Sequence, residues 1–109
     1  MNYIDIGYYE GKLLHLIGGK YINGTVVLSL LNNNTEYVDV TAFVEKLTFN
    51  TDGYIILNPN LKKELKSRMI KKNIFRCINK FVYVDNIKYE IAMLNKNVYD
   101  KLLKYAIEI

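Results

Sequence analysis

Residues 21–44 constrain the fold most, because they predict strand, turn and strand in succession. Asn23-Gly24 is the dipeptide best suited to a type I′ hairpin turn, in which both central residues need positive φ. The apolar run 25–31 follows that turn, and the three asparagines at 32–34 tolerate left-handed backbone. Residues 35–42 then alternate between polar and apolar, which is typical of an antiparallel strand with one buried face. A β-sheet is therefore expected at the centre of the fold.

The first seventeen residues predict two more strands joined by a turn at Glu10-Gly11. In residues 1–9 the apolar side chains alternate, and the predicted inner face carries Ile4, Ile6 and Tyr8. Residues 12–17 alternate in the same way. A meander in the N-terminal third follows from these patterns.

A second hairpin is predicted near the C-terminus, with Asp85-Asn86 as a two-residue turn that pairs Val84 with Ile87 and Val82 with Tyr89. Residues 54–57 form a short apolar run typical of a buried strand. The hairpin's core-facing side is predicted to carry Val82, Val84, Ile87, Tyr89 and Ile91. Its more polar side carries Phe81, Tyr83, Lys88 and Glu90.

Two helices are predicted. Asn58-Pro59 indicates a helix over 59–72, with asparagine as N-cap and proline at the first helical position. Asn73 suits the left-handed residue after that helix, and Ile74 would fold back on Met69 in a Schellman ending. Asn97 is predicted to cap a second helix over 97–107 with an apolar stripe that suits docking on the sheet.

These elements predict one α+β domain over residues 1–109, an antiparallel meander sheet of five to seven strands with two helices packed on it. The chain is long enough to bury one modest core without disulfides or a metal. Its apolar runs are far shorter than the roughly 20 residues of a membrane span. Cys77 is the only cysteine, so no internal disulfide can form, and we expect a soluble cytoplasmic protein.

Side chains that could carry catalysis are isolated in the sequence. His15 is the only histidine, and it is distant from Cys77 along the chain. Gly-Gly-Lys at 18–20 lacks the spacing of a phosphate-binding loop and predicts a bend between strands. The acids lie on predicted turns and wet strand faces: Asp5, Glu36, Asp39, Glu45, Asp52, Asp85 and Glu90. We expect no catalytic residue, no metal site and no cofactor, and hence a protein that is not an enzyme.

One candidate binding surface is the more polar side of the hairpins. Tyr37, Phe81 and Tyr83 would be its aromatic contacts, with Lys88 and Glu90 at the rim. Such a surface suits a protein partner or a second copy of this chain. The alternative is that the final helix covers Phe81 and Tyr83 with its leucines at 102 and 103 and makes a second small core.

The other candidate surface is the basic side of the helix over 59–72. Lys62, Lys63, Lys66 and Lys71 lie there, and the chain has a net charge of +4. Lysines on one helix face can contact the phosphates of a nucleic acid, with a strong dependence on salt. The alternative is an ordinary solvated helix face.

Several of these features together resemble a family of small bacterial domains of unknown function. They are Tyr-Ile-Asn-Gly at 21–24, the predicted strands 27–31 and 38–41, and Asn-Pro-Asn at 58–60, which opens a helix with regularly spaced leucines. Phages, plasmids and integrative elements of AT-rich genomes carry these domains, and the resemblance covers residues 20–94. It implies the cytoplasm of a bacterial host as the place of action. Small proteins of that context often bind and inhibit a host defence effector, as anti-CRISPR or anti-restriction proteins do.

Overall fold

The computed structural model describes residues 2–21, 24–47 and 53–103. Within these ranges the elements are β1 (Ile4–Tyr9), β2 (Lys12–Lys20), β3 (Val26–Asn32), β4 (Thr35–Asp39), β5 (Tyr54–Ile56), α1 (Lys63–Lys71), β6 (Phe75–Val84), β7 (Ile87–Leu94) and α2 (Lys96–Leu102). They form a four-stranded antiparallel sheet in the order β1-β2-β3-β4 and a three-stranded antiparallel sheet in the order β5-β7-β6. The α+β class with two helices is confirmed, but the described strands lie in two sheets and only the first sheet is a meander.

Positive-φ residue pairs close three of the hairpins, as type I′ turns require. The φ angles are 50° and 77° at Glu10 and Gly11, 52° and 64° at Asn33 and Asn34, and 50° and 67° at Asp85 and Asn86. The predicted pairs of the last hairpin, Val84 with Ile87 and Val82 with Tyr89, are confirmed. The β2–β3 hairpin also forms, although Asn23 of its predicted turn lies outside the described residues.

A β-bulge in β1 changes which side chains face inward. Asp5 pairs with His15 and Gly7 pairs with Leu14, so Ile6 is an extra residue, and Gly7 has a φ of 93°. One extra residue shifts the alternation by one position. Ile6 and Tyr9 are therefore buried while Tyr8 is 68% exposed, and the prediction that Tyr8 shares the inner face was wrong.

Helix α1 begins at Lys63, four residues later than the predicted start at Pro59. Asn58 does accept a hydrogen bond from the Asn60 N–H through Oδ1 (3.0 Å), but its carbonyl accepts from the Leu61 N–H (3.0 Å) and closes an isolated turn. The asparagine side chain thus stabilises a turn before the helix rather than the helix itself.

The C-terminal end of α1 is confirmed as a Schellman ending. Asn73 has a φ of 59°, its N–H donates to the Ile70 carbonyl (3.0 Å), and the Ile74 N–H donates to the Met69 carbonyl (2.9 Å). Helix α2 begins at Lys96, and its N-cap is Asn95, whose Oδ1 accepts from the Asn97 N–H (2.8 Å). The predicted cap at Asn97 was therefore two residues late, and 104–107 of that predicted helix lie outside the described residues.

The main core lies between the two sheets and the two helices, because each of these elements buries one apolar face there. Its central side chains come from every part of the fold: Leu14, Leu16, Leu28, Leu30, Ile55, Leu65, Met69, Ala92, Leu94, Leu102 and Leu103. A smaller cluster on the opposite face of the three-stranded sheet contains Val44, Ile56 and Ile91. Val82, Val84 and Tyr89 pack against that smaller cluster and Ile87 is 46% exposed, so the predicted core-facing side of the last hairpin is not the side that faces the main core.

Tyr9 connects α1 to the four-stranded sheet. Its hydroxyl donates to Glu64 Oε2 (2.9 Å), and Lys62 Nζ and Arg68 Cζ lie 5.6 and 5.7 Å from the centroid of its ring. The hydrogen bond to Glu64, burial, and the negative charges of Glu64 and Glu10 raise the pKa of Tyr9 to about 12. The neutral phenol is therefore the form that the folded protein stabilises.

We expect this contact to make stability depend on alkaline pH. The pKa of the Tyr9 phenol rises from 10.0 to about 12 on folding. Its contribution to the free energy of unfolding is therefore complete below pH 10 and is lost as the pH rises to about 12. The Tm of the protein should fall more steeply over that interval than the Tm of Tyr9→Phe, measured by circular dichroism. Glu64→Gln should give an intermediate slope, and identical slopes for all three proteins would contradict the assignment.

Candidate functional site

Four of the side chains predicted to bind a partner lie together on one side of the β6–β7 hairpin. Phe81 pairs with Glu90 and Tyr83 pairs with Lys88 across the two strands, so all four project from the same face. We call these four residues the hairpin face. Phe81 is 41% exposed and Tyr83 is 70% exposed, and Lys88 Nζ lies 4.3 Å from the centroid of the Phe81 ring.

Within the hairpin face, Phe81, Tyr83 and Lys88 are exposed, whereas the Glu90 side chain is only 18% exposed. Ala92 and Leu94 lie further along the same face of β7, where the main core buries them. Helix α2 packs elsewhere: a Cβ built at Gly18 of β2 would lie 2.9 Å from Leu103 Cδ2 and 3.2 Å from Leu102 Cβ. The final helix, over its described residues, therefore does not cover the hairpin face.

Glu90 joins the hairpin face to α1 through an ion pair with Lys66. Burial alone would raise the pKa of Glu90, but hydrogen bonds from Lys66 and Cys77 and the charges of Lys66 and Lys88 outweigh it and lower the pKa below its ordinary value. Burial and the hydrogen bond to Glu90 raise the pKa of the Cys77 thiol. Glu90 is thus a fixed carboxylate at one end of the face, and Cys77 is held as a neutral thiol.

A shallow groove of about 300 Å³ adjoins Phe81 on the side of α1. Its walls include Leu57, Pro59 and Leu61 from the segment before α1 and Lys88 and Phe81 from the hairpin. Asn58, Lys63, Lys66 and Glu90 complete the lining, so the groove combines apolar and charged side chains beside the exposed ring of Phe81. The sequence gives no sign that this segment borders the surface, because residues 57–61 are distant from the hairpin along the chain.

Tyr37 does not belong to the hairpin face. It lies on β4, in the other sheet, where it packs against the main core with Lys12 Nζ 5.8 Å from its ring centroid. A bulge in β4 explains why the Tyr37 side chain turns toward the main core. Leu30 pairs with Val38 and Leu31 pairs with Glu36, which leaves Tyr37 as the extra residue. The strict alternation in the sequence therefore placed it on the wrong side.

The four lysines of the alternative surface are divided by their contacts. Lys62 forms an ion pair with Glu10 at 3.3 Å, which raises the pKa of Lys62, and Lys66 is paired with Glu90. Lys63 and Lys71 instead line a groove of about 590 Å³ on another side of α1, together with Arg68 and Lys72. They do not form one continuous row of unpaired cations.

The side chains considered for catalysis mainly make structural contacts. His15 Nε2 lies 2.9 Å from Asp5 Oδ1, and its ring stacks on Tyr3 with centroids 4.4 Å apart. Glu36 and Asp39, which the sequence analysis treated as separate, come together, and a hydrogen bond to Asp39 and its charge raise the pKa of Glu36. Asp52 lies outside the described residues.

Residues 2–21, 24–47 and 53–103 form neither a metal site nor a membrane-spanning helix. Among these residues, no group of three or more His, Cys, Asp or Glu side chains is arranged to hold a metal ion. No helix formed by them is long and apolar enough to cross a membrane. Comparisons with protein-family models, with curated proteins and with solved structures give no significant match for this chain.

Proposed function

We propose that this protein is a non-enzymatic module that binds a protein partner through the hairpin face. The observation that carries the proposal is the exposure of Phe81 and Tyr83, at 41% and 70%, between the charged side chains of Lys88 and Glu90. Large aromatic side chains ringed by charged groups are typical of the residues that contribute most to binding at protein interfaces. Folding leaves these two rings in contact with water, so a partner would gain by covering them.

The partner that the proposal favours is a host defence effector, such as a CRISPR effector or a restriction enzyme. The resemblance to domains of phages and mobile elements supports this choice. Inhibition by occlusion needs a complementary surface and no catalytic group. Phe81 and Tyr83 would supply contact area, and the exposed Lys88 would favour a partner of negative charge, while Glu90 is already paired with Lys66 at the rim.

A second candidate function, nucleic-acid binding by α1, has one supporting observation. Lys63, Arg68, Lys71 and Lys72 line the same groove, in which Glu64 is the one acidic side chain, and such cations suit contacts to phosphates. Under this function, binding falls steeply between low and moderate salt, and Lys63→Glu with Lys71→Glu abolishes it. The ion pairs of Lys62 and Lys66 reduce the number of available cations, which favours the protein-binding proposal.

The proposal is tested by quantitative capture of partners from a bacterial host lysate, followed by direct titration of the captured protein. Tyr83→Ala should weaken binding by about 30-fold, because losing such a residue typically costs about 2 kcal/mol. Its Tm should stay close to that of the unchanged protein, since the Tyr83 ring is mostly exposed.

Tyr8→Ala is the matched control, because Tyr8 is 68% exposed on the other sheet and its contact to Arg68 uses the backbone carbonyl. Tyr8→Ala should leave the affinity unchanged. The proposal fails if the folded Tyr83→Ala protein keeps its full affinity for the partner, or if Tyr8→Ala weakens binding equally.

A further inference from the structure

Among the described residues, strand β6 has a free edge. It is the terminal strand of its sheet, and among the described residues only β7 pairs with it. In a two-residue hairpin the residues beside the turn exchange hydrogen bonds, so the backbone groups of Val84 and Val82 point toward β7 and those of Phe81 and Tyr83 point away from it. Glu90, which lies opposite Phe81, agrees with this alternation of the backbone groups. Its carbonyl accepts from the Leu57 N–H at 2.9 Å and so points away from β6.

The regular part of this edge is short and symmetric. A bulge bounds it on one side, since Cys77 pairs with Ala92 and Lys80 pairs with Ile91, and Asn79 has a φ of 56°. The turn at Asp85-Asn86 bounds it on the other side. Residues 80–84 remain between these bounds, with Val82 in the middle. All five can pair with a second copy when a two-fold axis passes beside Val82, so that Val82 lies opposite its own copy.

We infer that a second copy of this chain pairs antiparallel with the β6 edge, with Val82 opposite Val82 of the partner subunit. Phe81 then faces the partner's Tyr83, and both residues point their N–H and C=O groups across the new junction, where they would bond each other in place of the pairing that no other described strand gives them. Neighbouring aromatic side chains across strands stabilise such a pairing. The two three-stranded sheets become one six-stranded sheet.

The two-fold axis places the side chains of the two hairpin faces in rows across the dimer sheet. One row across the strands contains Lys88, Tyr83, the partner's Phe81 and the partner's Glu90, and the two-fold axis repeats it. Each row has a cation at one end, a carboxylate at the other and two aromatic rings between them. Since pairing uses the backbone edge, the side chains of the hairpin face stay accessible, and the inference does not depend on the proposed partner.

Site-directed crosslinking tests the register. Val82 would form a non-hydrogen-bonded pair with its own copy, with Cα atoms about 4.5 Å apart, a distance that a disulfide spans. In a Cys77→Ser background, Val82→Cys should give a disulfide dimer when oxidised glutathione takes up the two electrons of the thiols. Lys80→Cys and Val84→Cys should each stay uncrosslinked, because the two copies of each residue lie about 14 Å apart, and a mixture of the two variants should crosslink.

Sedimentation velocity tests the association without a crosslink. The edge is short, so we expect a dissociation constant in the micromolar range and a mass that approaches the dimer as concentration rises. Tyr83→Pro should abolish the dimer, because proline removes an outward N–H that β6 itself does not use. Tyr83→Ala keeps that N–H and should still dimerise, though less tightly because the ring beside the partner's Phe81 is lost, while its affinity for the protein partner of the hairpin face should fall about 30-fold.

The outcomes separate the two proposals. A protein that is monomeric up to millimolar concentration, or in which Lys80→Cys crosslinks as well as Val82→Cys, overturns the β6 dimer. Either result leaves the hairpin face as a candidate site, because that proposal is tested by the affinity of Tyr83→Ala. Loss of the dimer in Tyr83→Ala to the same extent as in Tyr83→Pro would also overturn the edge-pairing inference.

Discussion

Gly18→Val should lower the free energy of unfolding by about 3 kcal/mol, the upper end of the usual cost of overpacking a core. A Cβ at this position would lie 2.9 Å from Leu103 Cδ2 and 3.2 Å from both Leu102 Cβ and Leu28 Cδ2. Leu28 and Leu103 are buried, and protein cores are closely packed, so a new side chain must displace them. Helix α2 would have to move away from β2, which chemical denaturation monitored by circular dichroism would measure.

Two variants show whether the close packing of α2 is the cause. Gly18→Ala adds only the Cβ and should cost about 1 kcal/mol. Leu103→Ala removes the nearest side chain, so Gly18→Val with Leu103→Ala should be clearly more stable than the sum of the single effects predicts. Strict additivity in this double-mutant cycle would show that Gly18 does not act through Leu103.

Thr41→Val should cost about 2 kcal/mol, because it leaves a buried backbone donor without an acceptor. Thr41 is 7% exposed, and its Oγ1 accepts a hydrogen bond from the Leu28 N–H at 3.0 Å. Valine has nearly the same shape as threonine but no hydroxyl. The loss of the hydrogen bond is therefore separated from a change in packing volume, and urea unfolding would measure it.

The position of Thr41 makes this hydrogen bond important for the arrangement of the two sheets. The Ala42 N–H donates to the Ile56 carbonyl and the Asn58 N–H donates to the Val40 carbonyl, both at 2.9 Å. Thr41 itself forms an isolated antiparallel β-bridge with Leu57. Residues 40–42 thus connect β3 to the segment that carries β5. Thr41→Ser keeps the hydroxyl and should cost less than Thr41→Val, and the reverse order would contradict the role of the hydrogen bond.

Local sequence patterns predicted the turns and helix ends that depend on a few neighbouring residues. Asp85-Asn86 specified both its turn and the register of the strands beside it, because a two-residue hairpin needs positive φ at both positions. Asn73 specified the Schellman ending for the same reason. These signals are reliable because the backbone conformation they require is available to few residue types.

Sequence signals for which side chains face the core, and for where a helix begins, were less reliable. Asn58-Pro59 predicted a helix four residues early, because the same asparagine bonds also stabilise an isolated turn. The bulges at Ile6 and Tyr37 reversed the faces of Tyr8 and Tyr37. A bulge depends on how two strands pair, which one strand's alternation cannot show.

The sequence by itself determined the α+β class, the three closing turns and the cross-strand pairs that place Phe81, Tyr83, Lys88 and Glu90 on one face. Only the tertiary structure decided that the strands divide into two sheets, that β5 pairs with β7, and that α2 packs over Gly18 rather than over Phe81 and Tyr83. The physical reason is the range of the interactions. Turns and adjacent-strand pairs follow from backbone preferences within a few residues, whereas non-local pairing and helix docking follow from which apolar surfaces bury each other best.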